Sequence, residues 1–376
     1  MKTACKIIAT VLCLVMLCPA ALAAEEPSQA QQIESALAKR VGCKEGKLLT
    51  QEDVFPAGAS GSDWIAMTLA AGGVKEEYGK YLTDLEKYVT DKYAQDGLLS
   101  DTMATDYARA IMTVTALGGD ATAFGKNADG QSIDLVSDGI VNFENLGAQG
   151  LNGYVFALIA LDSGGYLTDD ATTQTRQNII DDILQAQEDD GGFGFIPGGS
   201  DVDMTAMALQ ALAPYRDTYS QLTDKAVDYL ASMLNDSGRY EVYGEESAET
   251  SAQVVIALCS LGIDPAQDER FTKTGGSILE GMEAYLNEDG LYAHTVGGDS
   301  DVMATQQVLL SLIALDRLRS GGDRVYDFTG LTLDSGSSTG INLKVILICA
   351  AVVVCAVIVI EVITIRRKKC NAGTDK

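Results

Sequence analysis

The chain holds 376 residues, 47% of them hydrophobic and 6% aromatic, enough for one large helical domain or two small ones. Its 27 basic residues face 53 acidic ones, a formal charge of −26. Such a surface repels nucleic acid and anionic lipid headgroups, which argues against partners of those kinds.

At the amino end, Lys2 and Lys6 lead into an apolar run over 7–18, and Ala21-Leu22-Ala23 supplies small residues for cleavage. Residues 1–24 therefore read as a secretory signal peptide, cut near Ala23 or Ala24. The run is short for a crossing of the hydrocarbon core. Residues 25–49 read as an N-terminal segment ahead of the main domain, which is placed at 50–328.

Within 50–328, small apolar segments recur every 45 to 50 residues or so, the length of a helix-pair repeat. They lie at 63–71, 102–112, 152–161, 203–212, 250–258 and 303–312. Each is apolar nearly all round, as expected of a helix buried on all sides. Between them run amphipathic stretches with apolar residues at helical spacing. Tyr78, Tyr81, Leu82, Leu85 and Val89 make one stripe; Ile179, Ile180, Ile183 and Leu184 a second. Val227, Leu230, Met233 and Leu234 make a third, and Ile278, Met282, Tyr285 and Leu286 a fourth. Their other faces carry Lys, Glu and Asp, which predicts helices with one wet side.

A shared turn follows several of these outer helices, as in Gln95-Asp96-Gly97, Asp189-Asp190-Gly191, Asn235-Asp236-Ser237-Gly238 and Asp289-Gly290. Glycine suits a left-handed helix end, and aspartate or asparagine suits the turn itself. The stretch 124–149 fits the pattern poorly and reads as a degenerate outer helix with a longer loop. The predicted fold class is all-α: an α/α toroid of about six helix hairpins with inner and outer rings, plus one C-terminal transmembrane helix.

Residues 329–342 form a linker rich in glycine, serine and threonine. Residues 343–365 follow, apolar except near their ends and long enough to span a bilayer. Arg366, Arg367, Lys368 and Lys369 come next, which places the tail at 366–376 on the cytoplasmic side. The expected location is thus the cell membrane, single-pass, with the domain outside. Setting both terminal segments aside leaves 19 basic against 51 acidic residues, a formal charge of −32. Of eight cysteines only Cys43 and Cys259 remain there, and they could pair or stay as separate thiols.

The run Gln185-Ala186-Gln187-Glu188-Asp189-Asp190-Gly191-Gly192-Phe193-Gly194, followed by Asp201-Val202-Asp203-Met204-Thr205-Ala206, resembles the repeats of the terpenoid-cyclase and protein-prenyltransferase α/α toroids. It is also similar to the toroids of the cobalamin carriers, intrinsic factor and transcobalamin. The likeness covers roughly 50–328. One fold hosts many chemistries, so each implied activity rests on its own residues. The cyclase resemblance implies Asp203 as a general acid protonating an alkene, but Met204 stands where that motif has a further aspartate. The prenyltransferase resemblance implies a zinc held by Asp, Cys and His; the single histidine, His294, has no such neighbours in sequence, and no metal is expected. The rival for Asp201 and Asp203 is helix capping.

Parallel inner helices would gather their amino ends at one mouth of the ring. Trp64, Asp101, Asn152, Tyr154, Asp201, Asp203 and Asp301 all lie near such ends and are the candidate ligand-binding residues. A concave mouth of this kind suits a bulky small molecule, corrinoid or isoprenoid, or a cell-surface protein. The cobalamin carriers close over their ligand with a second, β domain, and no such domain is expected in this sequence. The reading therefore favours a tethered binding or scaffold module without a cofactor. Catalysis through Asp203 is the alternative.

Overall fold

The computed structural model describes residues 27–168, 174–242 and 244–333. The expected signal peptide at 1–24, membrane helix at 343–365 and basic tail at 366–376 lie outside these residues, as does 334–342 of the linker. Among the described residues no helix is long and apolar enough to cross a membrane.

The described chain is mostly helical. Its α-helices are α1 (Gln29–Val41), α2 (Ser60–Ala71), α3 (Tyr78–Asp96), α4 (Ala104–Ala116), α5 (Leu151–Ser163) and α6 (Arg176–Gln185). They continue with α7 (Val202–Leu212), α8 (Ser220–Met233), α9 (Ala248–Ser260), α10 (Ile278–Glu283) and α11 (Val302–Ser320). Two hairpins of two-residue strands, Glu241–Val242 with Glu245–Glu246 and Thr272–Lys273 with Gly276–Ser277, are the only paired strands among the described residues.

The six apolar segments become α2, α4, α5, α7, α9 and α11, and most residues of each are buried, the exposed end of α11 being the main exception. Each packs on the next, and α11 returns to pack on α2, so the six close a cycle. The seam is bonded as well as packed. Gln306 Nε2 donates to Thr68 Oγ1 at 2.7 Å, and Arg317 donates to the Ala71 carbonyl at 2.7 Å.

A second tier lies outside this cycle, with α3 on α2, α6 on α5, α8 on α7, α10 on α9 and α1 on α11. These helices are wet on one side and bury the spaced apolar residues on the other. Tyr78, Tyr81, Leu85 and Val89 of α3 are all within the core, as are Ile179, Ile180 and Ile183 of α6. Met233 and Leu286, assigned by spacing to buried stripes, are instead 42% and 47% exposed. Met233 is the last residue of α8 and Leu286 lies past the end of α10, where helical spacing stops deciding which side chain turns inward: the adjacent Leu234 and Tyr285 are buried in their place.

Between α4 and α5 the outer tier shrinks to one π turn, Ser137–Val141, packed on α4. Its Gly139 lies so close to Tyr107 that a Cβ there would stand 2.2 Å from the ring. Of the four glycine turns only Gly97 caps its helix in the left-handed conformation, at φ 77°; the helices before the other three end earlier, at Ala186, Leu234 and Ala284. The later turns still form, as where Asp190 Oδ1 accepts from Gly192 N and from the Ser200 hydroxyl and Gly191 takes φ 90°.

Candidate functional site

Side chains at i, i+4 and i+7 share one face of a helix. On α5 that stripe is Asn152, Phe156 and Ile159; on α7 it is Asp203, Met207 and Gln210; on α9, Glu249 and Gln253, then Ser260 seven residues further on; on α11, Met303 and Gln307. One contact across the ring and two between neighbouring helices place these stripes on one lumen. Trp64 of α2 meets Phe156 of α5 edge-on, with centroids 5.8 Å apart. Gln210 Nε2 donates to Gln253 Oε1 at 2.8 Å, and Gln253 Nε2 to Gln307 Oε1 at 2.9 Å. Ile159, Gln210 and Ser260 line a common cavity deeper in.

The helices are also co-directional. Residues from the ends of α5, α7 and α9 (Asp162, Ala211, Ser260) meet at that cavity, whereas Asp203 and Glu249, from the starts of α7 and α9, interact with each other.

The caps at the amino ends are distributed unevenly. Asp201 Oδ1 accepts from Met204 N at 2.9 Å, Asp301 Oδ1 from Ala304 N at 2.8 Å, and Ser247 Oγ from Thr250 N at 3.2 Å. Asp201 and Asp301 are therefore caps. Asp203 is not. Its Oδ1 is buried with no hydrogen-bond partner, and the same is true of Asn152 Oδ1 and Glu249 Oε1. All three stand at the second residue of their helices, one register position round the ring.

Burial raises the Asp203 carboxyl from 3.8 to about 6; the charges of Asp201 and Glu249 push the same way, and the Thr250 hydroxyl opposes them. Burial also raises Glu249, against the pull of His294. The His294 Nδ1 lies 2.8 Å from Glu249 Oε2, and that bond raises the imidazole above its usual range. His294 is thus a partner of the site, held by its own carbonyl accepting from Ala248 N at 3.0 Å. Among the described residues no group of three or more His, Cys, Asp or Glu is placed to hold a metal. Cys43 and Cys259 are both free, and burial pushes the Cys259 thiol up to about 12.

On the α2–α4 side of the lumen stands Arg109, with Nε 3.1 Å from Asp63 Oδ2 and Nη1 2.7 Å from Asp106 Oδ1. Asp63 also accepts from Gly58 N and the Tyr81 hydroxyl, so this cation is fully neutralised. Two expected mouth residues lie elsewhere. Asp101 is exposed in the bend before α4 and caps nothing, because Met103 takes the cap position. Tyr154, two residues from both Asn152 and Phe156, occupies the opposite face of α5, against Gly147.

Exposed large apolar side chains recur at the amino ends of the inner helices. Val54, Met103, Phe195, Ile196, Val296 and Met303 are all exposed, Ile196 by 72% and Met303 by 58%. Each lies in a segment leading into α2, α4, α7 or α11, or in its first turn.

The opposite end is covered. After α11, residues 322–333 cross the carboxyl ends of the inner helices: Phe328 N donates to Ser163 O at 2.9 Å, and Val325, Tyr326 and Phe328 are buried. Tyr326 reaches Trp64, with ring centroids 6.3 Å apart. Beside it lies a cavity of about 20 Å³ lined by Asp162, Pro214, Ser260, Arg324 and Tyr326, room for roughly one water.

This tiering of inner and outer helices has a named counterpart. Residues 140–273 match the family model of the prenyltransferase alpha-alpha toroid domain. The toroid match takes in α5 to α9, and so Asn152, Asp201, Asp203 and Glu249; α2, α4 and α11 continue the same packing outside it. No curated protein matches the chain.

Reading the sequence missed Phe156, Glu249, Gln253 and Tyr326. The first three were within reach, since they fall on the same i, i+4 register as Asn152 and Asp203.

Proposed function

We propose that this chain is a binding module that docks a partner protein on the amino-terminal mouth of its helical ring. The observation that carries this is the rim: six exposed large apolar side chains recur at the amino ends of the inner helices, round one mouth, the kind of patch that marks a protein contact rather than a solvated surface. An exported domain tethered by 343–365, as the sequence suggests, would present that mouth to other surface proteins.

The test is site-directed photo-cross-linking of the full chain in its native host. A cross-linker at Ile196 or Met303 should trap one discrete protein, and Ile196→Asp should abolish the band. A cross-linker at Lys92, on the outer tier, should trap none. A purified chain that retains a corrinoid or polyprenyl compound instead would overturn the proposal in favour of a small ligand.

One observation favours the second reading, alkene protonation: Asp203 is half-buried, its enclosed Oδ1 is unpaired, and its carboxyl keeps a proton up to about 6. Against it, Trp64, Phe156, Tyr326 and the glutamine chain occupy the lumen beneath.

A further inference from the structure

We infer that the mouth takes a lysine or arginine side chain of the docked partner, its cationic head seated among Asp203, Glu249 and Asn152. The inference rests on the docking reading and gives the bound group its chemistry.

Glu249 is nine-tenths buried, yet its Oε1 has no partner, and Asp203 Oδ1 and Asn152 Oδ1 repeat that condition at the same register of adjacent helices. A buried acceptor without a donor carries a desolvation cost that nothing in the fold repays. The helices do not need these groups as caps, because Asp201 and Ser247 already bond the first-turn amides of α7 and α9. Nor, among the described residues, is a cation of the chain paired with these oxygens. Arg109 is spent on Asp63 and Asp106, and His294 reaches only the other oxygen of Glu249. The missing complement is a compact group rich in N–H donors.

Lysine and arginine meet that need, and their aliphatic stems can lie along apolar walls. Phe156 and Met207 stand one turn below the acceptors on the same stripes and supply such a wall. A chain of formal charge −26 draws a basic partner from a distance.

Trp64 is the only tryptophan, and its contact with Phe156 makes its fluorescence a reporter of the lumen. The full chain is titrated with short synthetic leucine- and serine-based peptides that carry one central lysine, arginine, acetyl-lysine or norleucine. Lysine and arginine peptides should bind about tenfold or more tightly than the other two. In the Asp203→Asn, Glu249→Gln double variant all four should bind alike. Equal binding of the norleucine and lysine peptides by the native chain overturns the cationic seat and leaves docking intact. So does a lysine preference that survives in the double variant. If no peptide alters Trp64 emission, the docking reading falls and the seat with it.

Discussion

Replacing Asp203 with asparagine removes a charge that the folded chain tolerates poorly. In the native protein the carboxyl titrates at about 6 instead of 3.8, chiefly because burial disfavours its ionised form. At 1.36 kcal/mol per pH unit that difference is about 3 kcal/mol, and residual solvent contact lowers it to about 2 kcal/mol. The sign follows from linkage. A carboxyl raised in the folded state costs nothing below 3.8, costs progressively more as pH climbs to about 6, and levels off above. Asparagine keeps the shape and has no such titration. The variant should therefore match the native chain near pH 4 and exceed it by about 2 kcal/mol at pH 8. Denaturant titrations of both chains at several pH values measure this directly. A stability difference that stays constant with pH would refute the reasoning, since it would mean the Asp203 proton is not coupled to folding.

Three further outcomes follow from other groups. Glu34 is buried beside Glu76, and burial raises it from 4.5 to about 7, so Glu34→Gln should flatten the stability loss between those pH values by about 2–3 kcal/mol in the same titrations. Tyr326→Ala should cost about 3 kcal/mol or more and shift Trp64 emission to the red, as the floor of the lumen opens to water. Asp201→Ala should cost about 1 kcal/mol through the lost bond to Met204 N and bring the Asp203 carboxyl down, which carboxyl-resolved NMR titration would follow.

The inner tier was legible because α2, α4, α5, α7, α9 and α11 are buried on every side, and burial on every side leaves a run of small apolar residues in the sequence. The outer tier was legible where a stripe is long, as in α3. Helix α1 went unread: Ala30, Ile33 and Leu37 keep helical spacing, but they are few among polar neighbours, and only the Ser28–Gln31 capping box marks its start. At the mouth, Asp201 and Asp203 looked like equivalent caps because side-chain type does not reveal register. Two residues separate a cap from a surplus buried carboxylate. Tyr326 lay hidden among Gly322, Asp323 and Asp327, since a single aromatic residue in a polar stretch has no period to betray its burial.

The seam between α2 and α11 ties together residues 238 apart in the chain, Thr68 and Gln306. As the polypeptide leaves the ribosome, five inner helices must therefore wait as an incomplete arc with one apolar flank bare. Loop-closure entropy grows only slowly with length, so the hazard of this wait is exposure time rather than energy. The seam helix and the covering stretch at 322–333 arrive last, and truncation anywhere before Gln306 would leave a nascent chain with its hydrophobic edge open to aggregation.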